Sequence, residues 1–141
     1  MGNSITDAGR REDPDGMGAG YVFFIANWVT ARYLDLKVEF MNRGIGGNTV
    51  PDLEARWDSD CLELRPDCVS IMVGINDAAQ QARGVEGMTL DVYESGYRRL
   101  LDRVRGETAV RLVLMEPFLI GGRTNGQDWR PLVNQRIEVV H

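Results

Sequence analysis

The sequence predicts an α/β fold, a parallel sheet with helices on both faces, on three observations. Short apolar runs of strand length, at residues 68–73 and 110–115, alternate with longer segments of helical period. The first run is almost unbroken in apolar residues, as in strands buried on both faces of a parallel sheet. Polar, glycine-bearing stretches follow the predicted strands, at residues 2–7, 44–48, 74–77 and 116–126. In open α/β sheets ligands bind beyond the carboxyl ends of the strands.

Taken in order, residues 17–34 predict a helix, with Tyr21, Phe24, Ile25 and Trp28 on one apolar face. Residues 37–41 predict a short strand that runs into the turn-forming stretch 42–48. Thr49 then caps a helix, Asp52 completes a capping box, and Pro51 sits in the first turn, where its missing N–H costs nothing. Leu53 and Trp57 line the inner side of that helix, which stops before Arg65-Pro66-Asp67. Residues 68–73 form the buried strand, ended by Gly74. Residues 90–105 predict a helix with Tyr93, Tyr97, Leu100, Leu101 and Val104 inward. Residues 110–115 predict a further strand, with 112–115 interior. A loop through Gly121, Gly122 and Gly126 leads to a last helix from about Asp128, with Val133, Ile137 and Val140 aligned.

The chain has 141 residues, 43% of them hydrophobic, and a net charge of −5. That length suits one domain. The 16 Lys and Arg residues are scattered, without the basic stripe and interleaved aromatics that nucleic acid requires. The longest apolar run, residues 21–29, is interrupted by Asn27 and falls far short of the ~20 residues of a membrane span. Cys61 and Cys68 lack metal-ligand spacing and read as reduced core or helix-end residues. Neither a basic segment nor an apolar signal core opens the sequence, which favours the cytoplasm if Met1 is the true start.

Three segments carry candidate chemistry. In Gly2-Asn3-Ser4-Ile5-Thr6-Asp7 a serine opens a predicted helix, where its hydroxyl can be exposed and its own N–H can face a developing anion. Ser4-x-x-Asp7 is equally a capping-box pattern, so the serine also reads as a helix cap. In Gly44-Ile45-Gly46-Gly47-Asn48-Thr49 glycines between a strand and a helix allow backbone N–H groups close to a ligand. A dinucleotide loop would need a glycine where Thr49 stands. In Gly74-Ile75-Asn76-Asp77 the Asn76 amide can donate to an oxyanion from a fixed position, or simply form a turn at the strand end.

In order and approximate spacing these segments resemble the first three blocks of the SGNH (GDSL-type) ester hydrolases. The helix at 52–57 and Glu116-Pro117-Phe118 look familial as well, so the resemblance covers essentially the whole chain. It implies a flavodoxin-like, three-layer α/β/α fold in one domain over residues 1–141. It also implies attack by Ser4 on a carboxylic ester, with an oxyanion hole of Ser4 N–H, Gly47 N–H and the Asn76 amide. No metal or organic cofactor is implied, and the expected partner is a small ester, a small acyl group such as acetyl on carbohydrate or on a lipid-like alcohol. Asn3 stands where the family usually has aspartate.

One departure is large. The family takes its general base from a late Asp-x-x-His segment, and the one histidine here is His141. Glu138-Val139-Val140-His141 imitates the spacing, but inside a continuing amphipathic helix. The expectation is a fragment lacking the first strand and the Asp-x-x-His segment of a longer protein. The alternatives are a catalytically incompetent piece or a non-catalytic binding module. Loss of a central strand would expose sheet edges and apolar helix faces, so poor stability or oligomerisation is expected.

Overall fold

The computed structural model describes residues 1–107, 109–120 and 128–141. Its elements run α1 (Ser4–Asp7), α2 (Tyr21–Arg32), α3 (Val50–Ala55), a π-helical turn (Asp58–Leu62), β1 (Cys68–Ile71), α4 (Ile75–Ala82), α5 (Leu90–Glu107), β2 (Arg111–Leu114) and α6 (Arg130–Val140). β1 and β2 pair in parallel, from Cys68 opposite Arg111 to Ile71 opposite Leu114. On the other side of β1, Gly2 forms parallel bridges to both Met72 and Gly44. The backbone therefore runs in the lateral order 44, 2, β1, β2, which brings all three glycine-bearing segments to the same end of the sheet.

The core lies between β1 and the helices α3, α5 and α6. Val50, Leu53 and Trp57 meet Val69, Ile71 and Val73 there, together with Tyr93, Tyr97, Leu100, Val104 and Val140. The periodicity predicted for residues 90–105 is met in α5, which buries Tyr93, Tyr97, Leu100 and Val104 on one face. Cys61 from the π-helical turn joins the cluster. The capping box predicted at Thr49 closes: Asp52 Oδ2 accepts from the Thr49 N–H at 2.8 Å and from its hydroxyl at 2.6 Å. Among the described residues no helix is long and apolar enough to cross a membrane.

Four expectations are corrected. Residues 37–41 form no strand; the neighbouring backbone offers only the single Gly2–Gly44 bridge, too little for a ladder. The apolar stripe of α2 faces outward, with Phe24 66% and Trp28 61% exposed. The helix buries none of its residues, and it leans on the four-residue α1. In β1 the buried Val69 and Ile71 alternate with exposed Cys68 and half-buried Ser70, so Cys68 is an exposed thiol, not a core residue. β2 alternates between exposed and half-buried positions, leaving Val113 exposed. Covering one sheet face yields period-two burial, whereas a doubly covered sheet would bury every residue. The predicted loop at Gly121, Gly122 and Gly126 lies outside the described residues.

Candidate active site

Ser4 is not a helix cap. Asn3 holds that position: its Oδ1 accepts the Ile5 N–H at 3.0 Å, while its carbonyl accepts from Thr6 and Asp7 at 3.1 and 2.8 Å. Buried Asn3 thus takes over the amides that a capping serine would have satisfied. Ser4 becomes the first helical residue and is exposed. Asp7, expected to close a box on Ser4, is buried and accepts the Gly46 N–H at 2.8 Å through Oδ2. Among the described residues no group accepts from the Ser4 N–H.

The bond from Gly46 to Asp7 draws the glycine turn against Ser4. A β-carbon added to Gly46 would lie 3.9 Å from Ser4 Cβ, ordinary contact distance. The turn is also fixed by Ile45 N–H donating to Gly2 O at 3.1 Å. Gly47 has φ +86°, a left-handed conformation that side chains disfavour. Its N–H, like that of Ser4, has no acceptor among the described residues.

Asn76 lies in the first turn of α4, after Gly74 with φ +133°. A β-carbon on Gly74 would sit 3.0 Å from both Tyr93 Oη and Pro117 Cγ, so strain and space both demand glycine there. The Asn76 side chain does not form a turn on its own backbone; its Nδ2 donates to Asn48 O at 2.9 Å. One of the two amide protons is thereby used to aim the group, and the other remains. The neighbouring Asp77 is buried and accepts the Val50 N–H at 2.9 Å. Burial, partly offset by that bond and by Arg136, pushes its carboxyl up to about 6. Ser4 therefore adjoins the glycine turn, and Asn76 is bonded to the residue after Gly47.

His141 stands apart from this cluster in its bonding. Its Nε2 is 2.6 Å from Glu116 Oε1, on the exposed surface at the end of α6. The hydrogen bond to Glu116 raises its pKa above the ordinary histidine value.

Several residues that organise the site escaped the sequence reading. Asn42 is buried and donates to Thr6 O at 2.6 Å and Met17 O at 2.8 Å, while accepting from Gly44 N–H at 2.9 Å. The Arg56 guanidinium reaches Asn48, Arg43 and Gly2. Arg136 is fully buried and donates to Gln81 Oε1 at 2.8 Å and Leu132 O at 2.9 Å. Arginines on polar helix faces look solvated in sequence. Only Asn42 carried a signal, as the first residue of the glycine-rich turn.

The sequence model of the GDSL-like lipase/acylhydrolase family matches residues 1–140. The chain belongs to this family. An acetylxylan esterase of Geobacillus stearothermophilus is 40% identical over an alignment of 137 positions that covers 91% of this chain and 61% of that protein. The chain thus spans less than two thirds of this relative. The crystal structure of an acetylxylan esterase from the same organism superposes with a TM-score of 0.86 at 36% identity, covering 99% of this chain and 67% of that one. Solved structures of that esterase include catalytic mutants in which a serine, an aspartate or a histidine is replaced by alanine. A protein assigned as a GDSL-like lipase from Parabacteroides merdae superposes with a TM-score of 0.89 at 34% identity, covering 99% of this chain and 68% of that one. The fold is therefore that of the SGNH/GDSL hydrolases, of which the chain carries a part.

Proposed function

We propose that this GDSL-family chain carries the nucleophile and oxyanion hole of a serine hydrolase of carboxylic esters, acting on acetyl groups borne by carbohydrate. The observation that carries the reading is the division of labour at α1. Asn3 caps the helix, so Ser4 keeps both its hydroxyl and its N–H uncommitted beside the Gly46–Gly47 turn. In this reading a base removes the Ser4 hydroxyl proton as Oγ attacks the ester carbonyl. The resulting oxyanion accepts from Ser4 N–H, Gly47 N–H and Asn76 Nδ2–H. Collapse expels the alcohol, which takes the proton from the base, and water then releases acetate by the same steps reversed in role. Donors held in place before reaction are worth about 3–4 kcal/mol each, and the bonds to Asp7, Asn48 and Val50 supply that rigidity.

The substrate class follows from the acetylxylan esterase relative. The base is assigned to a histidine outside residues 1–141, on the pattern of the catalytic aspartate and histidine of that relative's mutants. A second reading has a specific observation behind it. With its single histidine tied to Glu116, the chain by itself is a binding module that holds an ester without turning it over.

Hydrolysis of p-nitrophenyl acetate and of acetylated xylooligosaccharides by the parent protein tests the first reading. Ser4→Ala is expected to lower turnover by at least about 10³-fold; a variant that keeps its rate overturns it. The same assay on residues 1–141 tests the second reading: Ser4-dependent turnover by this chain would exclude the binding module, and with it the assignment of the base to a histidine outside these residues.

A further inference from the structure

We propose that Arg56 is a positioning residue of the oxyanion hole, joining the segment that bears Ser4 to the segment that bears Gly47. This rests on the assignment of Ser4, Gly47 and Asn76 as the oxyanion donors. The Arg56 Nε donates to Asn48 Oδ1 at 2.8 Å, and its two terminal nitrogens donate to Arg43 O at 2.9 Å and Gly2 O at 3.3 Å. Gly2 lies two residues before Ser4, Asn48 directly follows Gly47, and Arg43 is the second residue of the same turn. One planar cation therefore spans both chain segments that must stay in register for two backbone N–H groups to converge on one oxygen.

The arrangement has the marks of a clamp. Asp60 accepts from the same guanidinium at 2.7 Å, and the Arg56 side chain is only 14% exposed, so its orientation is set from behind. Asn48 is held at both ends: its side chain by Arg56, its carbonyl by the Asn76 amide. All three donors are thus linked through this one guanidinium and Asn48. A lysine could supply the charge but not the fork that satisfies separated acceptors at once.

The test uses the 141-residue chain and acetate as an oxyanion probe, so it does not depend on turnover. Acetate is titrated into ¹⁵N-labelled protein while the Ser4 and Gly47 amides and the Asn76 side-chain amide are followed by NMR. In the unaltered chain the three signals are expected to shift together with one dissociation constant. Arg56→Met is expected to weaken that constant about tenfold and to uncouple the Ser4 and Gly47 shifts, with far-UV circular dichroism unchanged and Arg56→Lys restoring part of the loss. If the unaltered chain shows no common response, the oxyanion-hole assignment itself falls, and the proposal with it. If the unaltered chain responds and Arg56→Met binds equally well, the positioning role alone is overturned. Should Arg56→Met not fold, Asn48→Ala removes one acceptor of the clamp; equal acetate affinity in that variant likewise overturns the role.

Discussion

Asp77 accepts a hydrogen bond from the Val50 N–H at 2.9 Å, so the residue after Asn76 is fastened to the first residue of α3. Next to it Asn76 donates to Asn48 O at 2.9 Å. Two consecutive residues in the first turn of α4 thereby hold both sides of Thr49, and the spacing between Gly47 and Asn76 is fixed by pairs of bonds that a single rotation cannot loosen.

The buried carboxyl of Asp77 makes stability depend on pH. Its folded pKa, raised by burial to about 6, lies above the ordinary 3.8. The folded state therefore binds the proton more tightly than the unfolded chain. That contribution is complete below pH 3.8 and is lost as pH rises through about 6. Over that window the loss is about 2–3 kcal/mol. Urea unfolding between pH 4 and pH 7 is expected to show this slope, and Asp77→Asn, which keeps the acceptor for Val50, to flatten it.

Asn3→Ala removes the group that satisfies the Ile5 N–H at the start of α1. The expected cost is about 1–2 kcal/mol, read from denaturant midpoints. Ser4→Ala removes no cap, and its expected cost stays within about 0.5 kcal/mol. Equal destabilisation by the two substitutions would return Ser4 to the role of cap.

At Gly74 an alanine would have to hold φ +133° with its β-carbon 3.0 Å from Tyr93 Oη and Pro117. Gly74→Ala is expected to destabilise the fold by at least about 2 kcal/mol, measured by thermal or urea unfolding. The Asn76 side-chain amide signals should broaden or move with it, because Asn76 follows two residues later.

His141 is expected to titrate above the ordinary histidine value of 6.5, since Glu116 favours its protonated form. Glu116→Gln should bring the NMR titration midpoint back toward that value. The ion pair stabilises the fold at pH below the unfolded value and is lost as pH rises through the raised one. Both side chains are exposed, so the effect on stability is small. A midpoint unaffected by Glu116→Gln would show that the two do not meet in solution.

The core was the most legible part of the sequence. The inward residues of α5, the burial of Leu53 and Trp57, and the capping box at Thr49 all follow from local period and spacing, and the structure contains them. The strand predicted at 37–41 failed because a strand is defined by its neighbour, and the neighbouring backbone there offers the single bridge of Gly2 to Gly44. The outward stripe of α2 failed for a related reason, since an apolar helical face says that burial is favourable but not what is available to bury it.

The site divides in the same way. Sequence alone determined that a serine, a glycine turn and a Gly-x-Asn-Asp segment occur at the carboxyl ends of predicted strands, because turn glycines and strand ends are local features. Whether Ser4 capped its helix could not be decided locally, as the same pattern serves a cap and a free hydroxyl. Tertiary structure decided it, by burying Asn3 as the cap and turning Asp7 toward Gly46. Arg56, Asn42 and Asp77 took their roles only there as well. Each bridges residues 27–54 positions apart, and contacts at that separation come from how the chain packs, which no window of the sequence encodes.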